Sequence, residues 1–324
     1  MRNCELPVLT VDLGGTKILT ALVSRNGEIM ARGRCLTLAD EGPTPVIGRL
    51  LSAVDSMLRL ESLAPSEVDS ISIAAAGAVD LDRGLVTLSP NLPGWHDVPL
   101  GEAVRERYGI KVFLVNDASA AALGEHHFGS GKRVTNLVFL TIGTGIGGGI
   151  IVNGKLYQGL SGSAGEIGHM TLDMNGLRCA CGNIGCLETL ASGTAIAREA
   201  RHRLKQGEKS ALTDIMAGKI GNITAEEVGA AAGDGDSLAL DIITRAGTYL
   251  GVGMVNLVNI FNPEMIVVGG GVARLAELLL EPARQAVWER AFPVSAKAVR
   301  IVAARLGEEA GIYGAAAYAF EQGE

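Results

Sequence analysis

The stretch Val8-Leu9-Thr10-Val11-Asp12-Leu13-Gly14-Gly15-Thr16-Lys17-Ile18-Leu19-Thr20-Ala21-Leu22-Val23 decides how the chain is read. Two apolar runs flank a glycine pair, which predicts a strand, a tight turn and a second strand. Asn26-Gly27 then supplies a hairpin signal, and Glu28 to Gly33 a third strand, so a three-stranded meander is expected. The same order recurs later. Leu137 to Ile142 is apolar, Gly143 to Gly149 glycine-rich and Ile150 to Val152 apolar, and Asn153-Gly154 repeats the hairpin signal before Lys155 to Gly159. The repetition predicts two related α/β domains, each opening with a strand, a glycine turn and a hairpin, with a ligand cleft between them.

Between the copies, Thr44 is placed to cap a helix with Pro45 in its first turn. Val46, Ile47, Leu50, Leu51, Val54, Met57 and Leu58 then share one face at helical spacing. Val68 to Ala76 and Lys111 to Val115 read as buried strands, and Ala118 to His127 as a helix after the second. In the second half, Thr224 to Glu227 fits a capping box. Asp236 is placed to cap a long helix that stops at Asn262-Pro263. Met265 to Val268 reads as a strand running into Gly269-Gly270-Gly271, and Gly311 to Phe320 as a helix. The expected domains are 1–131, smaller and N-terminal, and 132–308, larger and carrying the cysteine loop. A C-terminal helix over about 309–324 is expected to pack back on the first.

With 324 residues, 48% of them hydrophobic and 19% charged, the chain can bury a large core, which excludes disorder as its main theme. A formal net charge of -7 leaves no broad electropositive surface, so nucleic acid is not expected as a partner. No basic segment followed by an apolar one opens the sequence. The apolar stretches Leu137 to Val152 and Leu250 to Phe261 are interrupted and fall short of the roughly 20 residues a membrane span needs. Neither a signal peptide nor a membrane partner is therefore expected. Five cysteines, three of them within 179–186, suit a metal site in a reducing compartment better than a disulfide framework, so the cytoplasm is favoured.

His169, Cys179, Cys181 and Cys186 supply the three thiolates and one imidazole that tetrahedral Zn²⁺ accepts, with Gly182 and Gly185 for the bends. Four protein ligands leave no position for water, so a structural zinc is expected. Gly143, Gly145 and Gly148 satisfy G-x-G-x-x-G, with Glu166 downstream. A strand entering a hairpin is expected after them rather than a helix, which argues against a dinucleotide site. A phosphate loop ending in Gly131-Lys132 fails because position 126 is His126. The two glycine turns, Asp12 to Lys17 and Gly143 to Gly148, instead present backbone N–H groups and threonine hydroxyls suited to polyphosphate. Asp12 offers a hard oxygen for Mg²⁺. His126, His127, Cys4 and Cys35 read as ordinary surface or packing residues.

The chain resembles the ROK family of sugar kinases, within the wider hexokinase and actin-like ATPase group, essentially end to end. The resemblance rests on Asp12-Leu13-Gly14-Gly15-Thr16-Lys17, on Asn116-Asp117 followed by Ala120 to Glu125, on Gly165-Glu166-Ile167-Gly168-His169, and on Cys179-Ala180-Cys181-Gly182-Asn183-Ile184-Gly185-Cys186-Leu187-Glu188. Gly269 to Val272 and Leu306 through Gly311 to Ala316 complete it, and Ser89 to Trp95 is similar to a segment of the family's glucokinase branch. What the resemblance implies is a duplicated, RNase H-like two-domain ATPase fold with a central cleft, and an enzyme using ATP with Mg²⁺ to phosphorylate a hexose at its 6-hydroxyl. Glucose is favoured by Ser89 to Trp95. N-acetylmannosamine, mannose, fructose and N-acetylglucosamine stay open as substrates, and polyphosphate as donor.

The implied roles follow residue by residue. Asp117 is the general base, because it ends a buried strand at a helix start, and a late proton transfer tolerates a weak base. Asn116, Glu166, His169 and Glu188, with Asn91 and Gly77, bind sugar hydroxyls. Gly77 stands in Ala76-Gly77-Ala78-Val79-Asp80, where relatives often carry a Gly-Pro bend. Asp12, Gly14, Gly15, Thr16, Lys17, Thr144 and Gly145 hold the nucleotide phosphates, and Gly270 and Gly271 lie on the adenosine side. The zinc is expected to orient His169 and Glu188. The family implies a homodimer or homotetramer. It also includes sugar-sensing repressors with an added DNA-binding domain; eleven residues before Asp12 are too few for one, and a kinase is expected.

Overall fold

The structure, a computed structural model, describes residues 6–275 and 277–323; Cys4 lies outside them. The first half carries strands β1 (Val8–Leu13), β2 (Lys17–Val23), β3 (Ile29–Leu36), β4 (Ser70–Ala75), β5 (Ala78–Asp80), β6 (Leu85–Leu88), β7 (His96–Val98) and β8 (Lys111–Asn116), with helices α1 (Pro43–Leu60), α2 (Leu100–Tyr108) and α3 (Asp117–His127). The second carries β9 (Leu137–Ile142), β10 (Ile146–Val152), β11 (Lys155–Leu156), β12 (Met265–Gly269) and β13 (Arg300–Ala303). Its helices are α4 (Glu188–Ala191), α5 (Gly193–Lys205), α6 (Leu212–Ile215), α7 (Ala225–Gly233), α8 (Ser237–Phe261), α9 (Glu277–Arg290), α10 (Pro293–Ala298) and α11 (Ala310–Gln322).

Two five-stranded sheets have the same order, β3-β2-β1-β4-β8 and β11-β10-β9-β12-β13. In the first, a meander is extended by β4 and β8 running parallel to β1. In the second, β12 runs parallel to both β9 and β13. The expected duplication is thus present at the level of topology, and the fold is the two-domain actin-like, hexokinase-like one. A small antiparallel sheet, β5-β6-β7, follows β4. β1 and β4 are buried almost throughout, as central parallel strands covered on both faces must be, whereas edge strand β3 alternates half-buried and exposed.

The chain forms two compact units, Met1–Arg133 with Gly149–Gly165 and Arg305–Glu324, and Val134–Gly148 with Glu166–Ala304. This differs from an unbroken second domain over 132–308. Gly149 lies on α3, where a Cβ would stand 2.5 Å from the Ala122 side chain, so the chain joins the first unit within β10. α11 packs on α3, β1 and β4 of the same unit. In the first unit's core, Leu9, Val11, Ile71 and Ile73 of the sheet meet Val46, Leu50 and Val54 of α1.

Local signals decide most helix ends. The capping box at Thr224 is present, Asp236 accepts from Ala239 N at the start of α8, and Asn262 ends that helix in the left-handed region. Two expectations need correction. α1 starts before Thr44: Gly42, with φ 85°, turns the chain and Pro43, with its fixed φ, enters the first turn without a side-chain cap. The glycine turn after β9 is also shorter than Gly143 to Gly149, because pairing resumes at Ile146. Among the described residues one helix, α8, is long and apolar enough to cross a bilayer, and 61% of its most apolar window is buried within the protein.

Candidate active site

In the first unit the strand register assembles the residues. Leu13 pairs with Ala75 and Ala75 with Asn116, so the carboxyl ends of β1, β4 and β8 lie side by side. Gly14, Gly77 and Asp117 leave the sheet together there, where ligands of parallel α/β sheets bind. Gly14 N donates to Lys17 O at 3.1 Å, closing the turn, and Thr37 Oγ1 donates to Gly14 O at 2.7 Å. Gly15 is glycine for close approach: a Cβ would lie 2.6 Å from the Asn91 carbonyl oxygen. Asn91 itself is exposed on a loop anchored by buried Leu92 and Trp95. Gly15 and Asn91, expected on the phosphate and the sugar respectively, thus approach closely through their backbones.

Asp12 and Asp117 sense each other. Burial pushes the Asp12 carboxyl up to about 7, the charge of Asp117 adds to the rise and Lys17 opposes it. Gly311, at the start of α11, makes room for this carboxylate, since a Cβ there would lie 2.6 Å from Asp12 Oδ2. Lys17 Nζ pairs with Glu308, which nothing in the sequence suggested.

Asn116, not Asp117, caps α3, accepting from Ser119 N at 3.0 Å. Its Nδ2 donates to Gly77 O at 2.9 Å and to Asp117 Oδ1 at 3.1 Å, and Ala118 N also donates to Asp117 Oδ1, at 2.8 Å. Asn116 therefore orients Asp117, and both of its amide hydrogens are engaged. Gly77 has φ 106°, and a Cβ would be 2.3 Å from Leu88 O, so the bend needs glycine. His127 pairs with Glu321 of α11, and Cys35 is half-buried.

In the second unit, His169, Cys179, Cys181 and Cys186 bring their ligand atoms within 4.8 Å of one another. Cys181 Sγ and Cys186 Sγ are 3.8 Å apart, and Cys179 Sγ and His169 Nδ1 3.7 Å. Four ligands at ordinary zinc bond lengths stand about 3.5–3.8 Å apart at tetrahedral angles, so the set fits Zn²⁺. The chemistry agrees. Burial raises the Cys179 and Cys186 thiols, the latter to about 12, and a dication is what allows neighbouring thiolates to coexist. Gly182 and Gly185 both have positive φ, and Cys179 N donates to Asn183 O at 2.7 Å within the loop. Asn183, unassigned from sequence, also donates its amide to Thr171 Oγ1 and, at 3.4 Å, to Cys186 Sγ. Glu166 is exposed, 3.8 Å from His169 Nε2, and Glu188 Oε1 lies 3.7 Å from Cys179 Sγ. The cluster thus gathers Glu166, His169 and Glu188 around one loop.

Thr141 pairs with Gly269, so the Gly143 turn and Gly270 leave β9 and β12 at one end of the second sheet. Gly270, with φ 90°, lies against the Ile142 backbone, and Gly271 has open space around it. Strand β10 begins at Ile146, inside the G-x-G-x-x-G stretch, and β11 rather than a helix follows it, which excludes the dinucleotide reading on local structure.

The ROK family matches residues 8–322. A glucokinase from Thermotoga maritima is 40% identical over 312 residues, covering 96% of both chains. A ROK family glucokinase from Streptomyces griseus, solved with glucose and AMPPNP, superposes with a TM-score of 0.84 at 35% identity, covering 97% of this chain and 99% of that one. A ROK family transcriptional regulator, a homologue of the E. coli MLC protein, superposes with a TM-score of 0.86 at 34% identity, covering 99% of this chain and 79% of that one.

Proposed function

The chain belongs to the ROK family, and on that footing we propose that it is an ATP-dependent hexose kinase of the glucokinase type, converting glucose and ATP to glucose 6-phosphate and ADP. One observation carries the reading: Asp12 and Asp117 leave the same end of one sheet, close enough for the charge of Asp117 to raise the proton affinity of Asp12. One carboxylate suits the magnesium of MgATP and the other the sugar. Glucokinases among the relatives make glucose the preferred acceptor.

Asp117, held by Asn116 and Ala118 N, accepts the proton of the sugar 6-hydroxyl. That oxygen bonds to the γ-phosphorus as the bond from phosphorus to the β,γ-bridging oxygen breaks, and ADP carries away the electron pair. Asp12 would hold magnesium, which supplies charge neutralisation at the phosphates when bound. Gly14, Gly15, Thr16, Lys17, Thr144 and Gly145 cradle the phosphates, Lys17 exchanging Glu308 for phosphate oxygen, and Gly270 and Gly271 face the adenosine. Gly77, Asn91, Glu166, His169 and Glu188 read the sugar hydroxyls, and Asn116, whose amide hydrogens are engaged by Gly77 O and Asp117, takes part through its Oδ1 as an acceptor. His169, Cys179, Cys181 and Cys186 would hold zinc, which supplies a rigid loop. The reading includes a cytoplasmic protein, assembled as a homodimer or homotetramer, that feeds sugar phosphate to glycolysis.

The likeness to a regulator favours a second reading, a sugar sensor without catalysis. Steady-state phosphorylation by zinc-loaded protein with MgATP, across glucose, mannose, fructose, N-acetylmannosamine and N-acetylglucosamine, separates the two. Dominant kcat/KM on glucose, lost in Asp117→Asn, is the expected result. A different preferred sugar refutes glucokinase alone, and turnover on none refutes the kinase.

A further inference from the structure

The turn between β9 and β10 is an unusual place to find order. Gly143 and Gly145 are two of its three residues, Gly147 and Gly148 follow at the start of β10, and glycine loses more conformational freedom on folding than any other residue. A phosphate cradle needs the opposite, N–H groups already aimed before the ligand arrives. Something outside the turn must hold it.

Three ties do, all from one short segment. Ile146 N donates to Glu188 Oε2 at 2.9 Å, Gly193 N donates to Gly143 O at 2.8 Å, and Thr194 Oγ1 donates to Thr144 O at 2.8 Å. The segment begins two residues after Cys186, so it emerges directly from the metal loop. Gly168, next to His169, packs on the carbonyl of the same residue, where a Cβ would lie 2.0 Å from Ile146 O. Glycine allows the close approach on both partners: a Cβ at Gly145 would lie 2.2 Å from Glu188 Oε2 and displace that carboxylate, and one at Gly193 would lie 2.7 Å from the Gly143 backbone oxygen. At Gly143 the same atom would meet nothing within 4 Å. Gly145 and Gly193 are therefore glycines for the sake of these contacts, whereas Gly143 leaves open space.

We infer that Glu188–Thr194 is a positioning clamp for the second glycine turn, so that the loop holding the metal ligands also sets nucleotide affinity. The inference rests on the reading that this turn holds nucleotide phosphates. Glu188 then has two duties, a sugar contact and the orientation of Ile146 N–H. Gly193 and Thr194 only hold the turn, through Gly143 O and Thr144 O, which makes them the residues to perturb.

The test is calorimetric titration of zinc-loaded protein with a non-hydrolysable ATP analogue in Mg²⁺ and, separately, with glucose, for the unmodified chain, Thr194→Val and Gly193→Ala. Thr194→Val keeps the side-chain shape on an exposed position and removes one hydrogen bond. Its nucleotide Kd should rise about three- to tenfold, with glucose Kd changed less than about twofold. Gly193→Ala should displace Gly143 and raise nucleotide Kd further. Unchanged nucleotide Kd in both variants overturns the clamp and leaves the kinase reading standing. So does an equal loss of both affinities in Thr194→Val, which marks a general structural effect. Failure of the unmodified protein to bind the analogue overturns both readings.

Discussion

Replacing Glu125 by alanine should cost much of the first unit's stability, because three backbone N–H groups converge on its carboxylate. Glu125 is fully buried at the end of α3. Its Oε1 accepts from Arg305 N at 2.8 Å and Leu306 N at 2.7 Å, and its Oε2 from Ser130 N at 2.7 Å. One side chain thus receives the chain where it rejoins the first unit at Arg305 and pins the turn after α3. A Cβ at Gly129 would lie 2.0 Å from Oε2, so the turn after α3 approaches the carboxylate closely. Alanine strands three backbone donors, at about 1–3 kcal/mol each when buried, and water entering the cavity recovers part, leaving about 3–6 kcal/mol. For a unit of this size that lowers Tm by about 6–24 °C. Glu125→Gln separates hydrogen bonding from packing. Its oxygen can keep Arg305 N and Leu306 N while its NH₂ group opposes Ser130 N–H, a cost of about 1–3 kcal/mol. Thermal and urea unfolding by circular dichroism, with hydrogen exchange at residues 130, 305 and 306, measures both. Alanine within about 0.5 kcal/mol of the unmodified protein, or glutamine as damaging as alanine, would refute the account.

Asp12→Asn should abolish turnover yet stabilise the ligand-free protein by about 1–3 kcal/mol at pH 8, because it removes a buried charge facing Asp117. The proton on Asp12 favours the native state, so the stability it contributes is complete below its ordinary value of 3.8 and lost as pH rises through about 7. The variant's advantage should therefore shrink on acidification, and a difference that grows toward pH 4 would contradict it. Gly77→Ala forces a Cβ against Leu88 O at φ 106° and moves the carbonyl that holds Asn116, so a loss of about 2–4 kcal/mol with a fall in kcat is expected; unaltered kcat and Tm would count against it. Stripping zinc with a chelator should raise hexose Kd before it abolishes nucleotide binding, since His169 and Glu188 sit on the metal loop; unchanged hexose affinity in metal-free protein would end that role.

Much of the architecture was legible because near neighbours in the chain cause it. The meander, the box at Thr224, the cap at Asp236 and the positive φ at Gly182 and Gly185 all follow from residues within a turn of one another. So does the strand after the glycine run, which removed the dinucleotide reading. The metal set was legible because its ligand types are rare and three of the four fall within 179–186, and the structure brings all four ligand atoms within 4.8 Å of one another. Thr44 shows the limit even locally: several residues ahead of α1 can start a helix, and Gly42 with Pro43 does.

Sequence alone thus determined where the chain turns, caps and gathers its cysteines, because those depend on backbone preference and short spacing. Tertiary structure decided what the glycines and buried acids are for. Gly15 yields to the Asn91 carbonyl, Gly311 to the Asp12 carboxylate and Gly193 to Gly143. Glu125 meets its partners at Arg305 and Leu306, far along the chain. A glycine in a sequence announces conformational freedom or a need for space without saying which. Only the fold brings up the distant atom that needs the space, because close packing is a property of the assembled chain and not of any window within it.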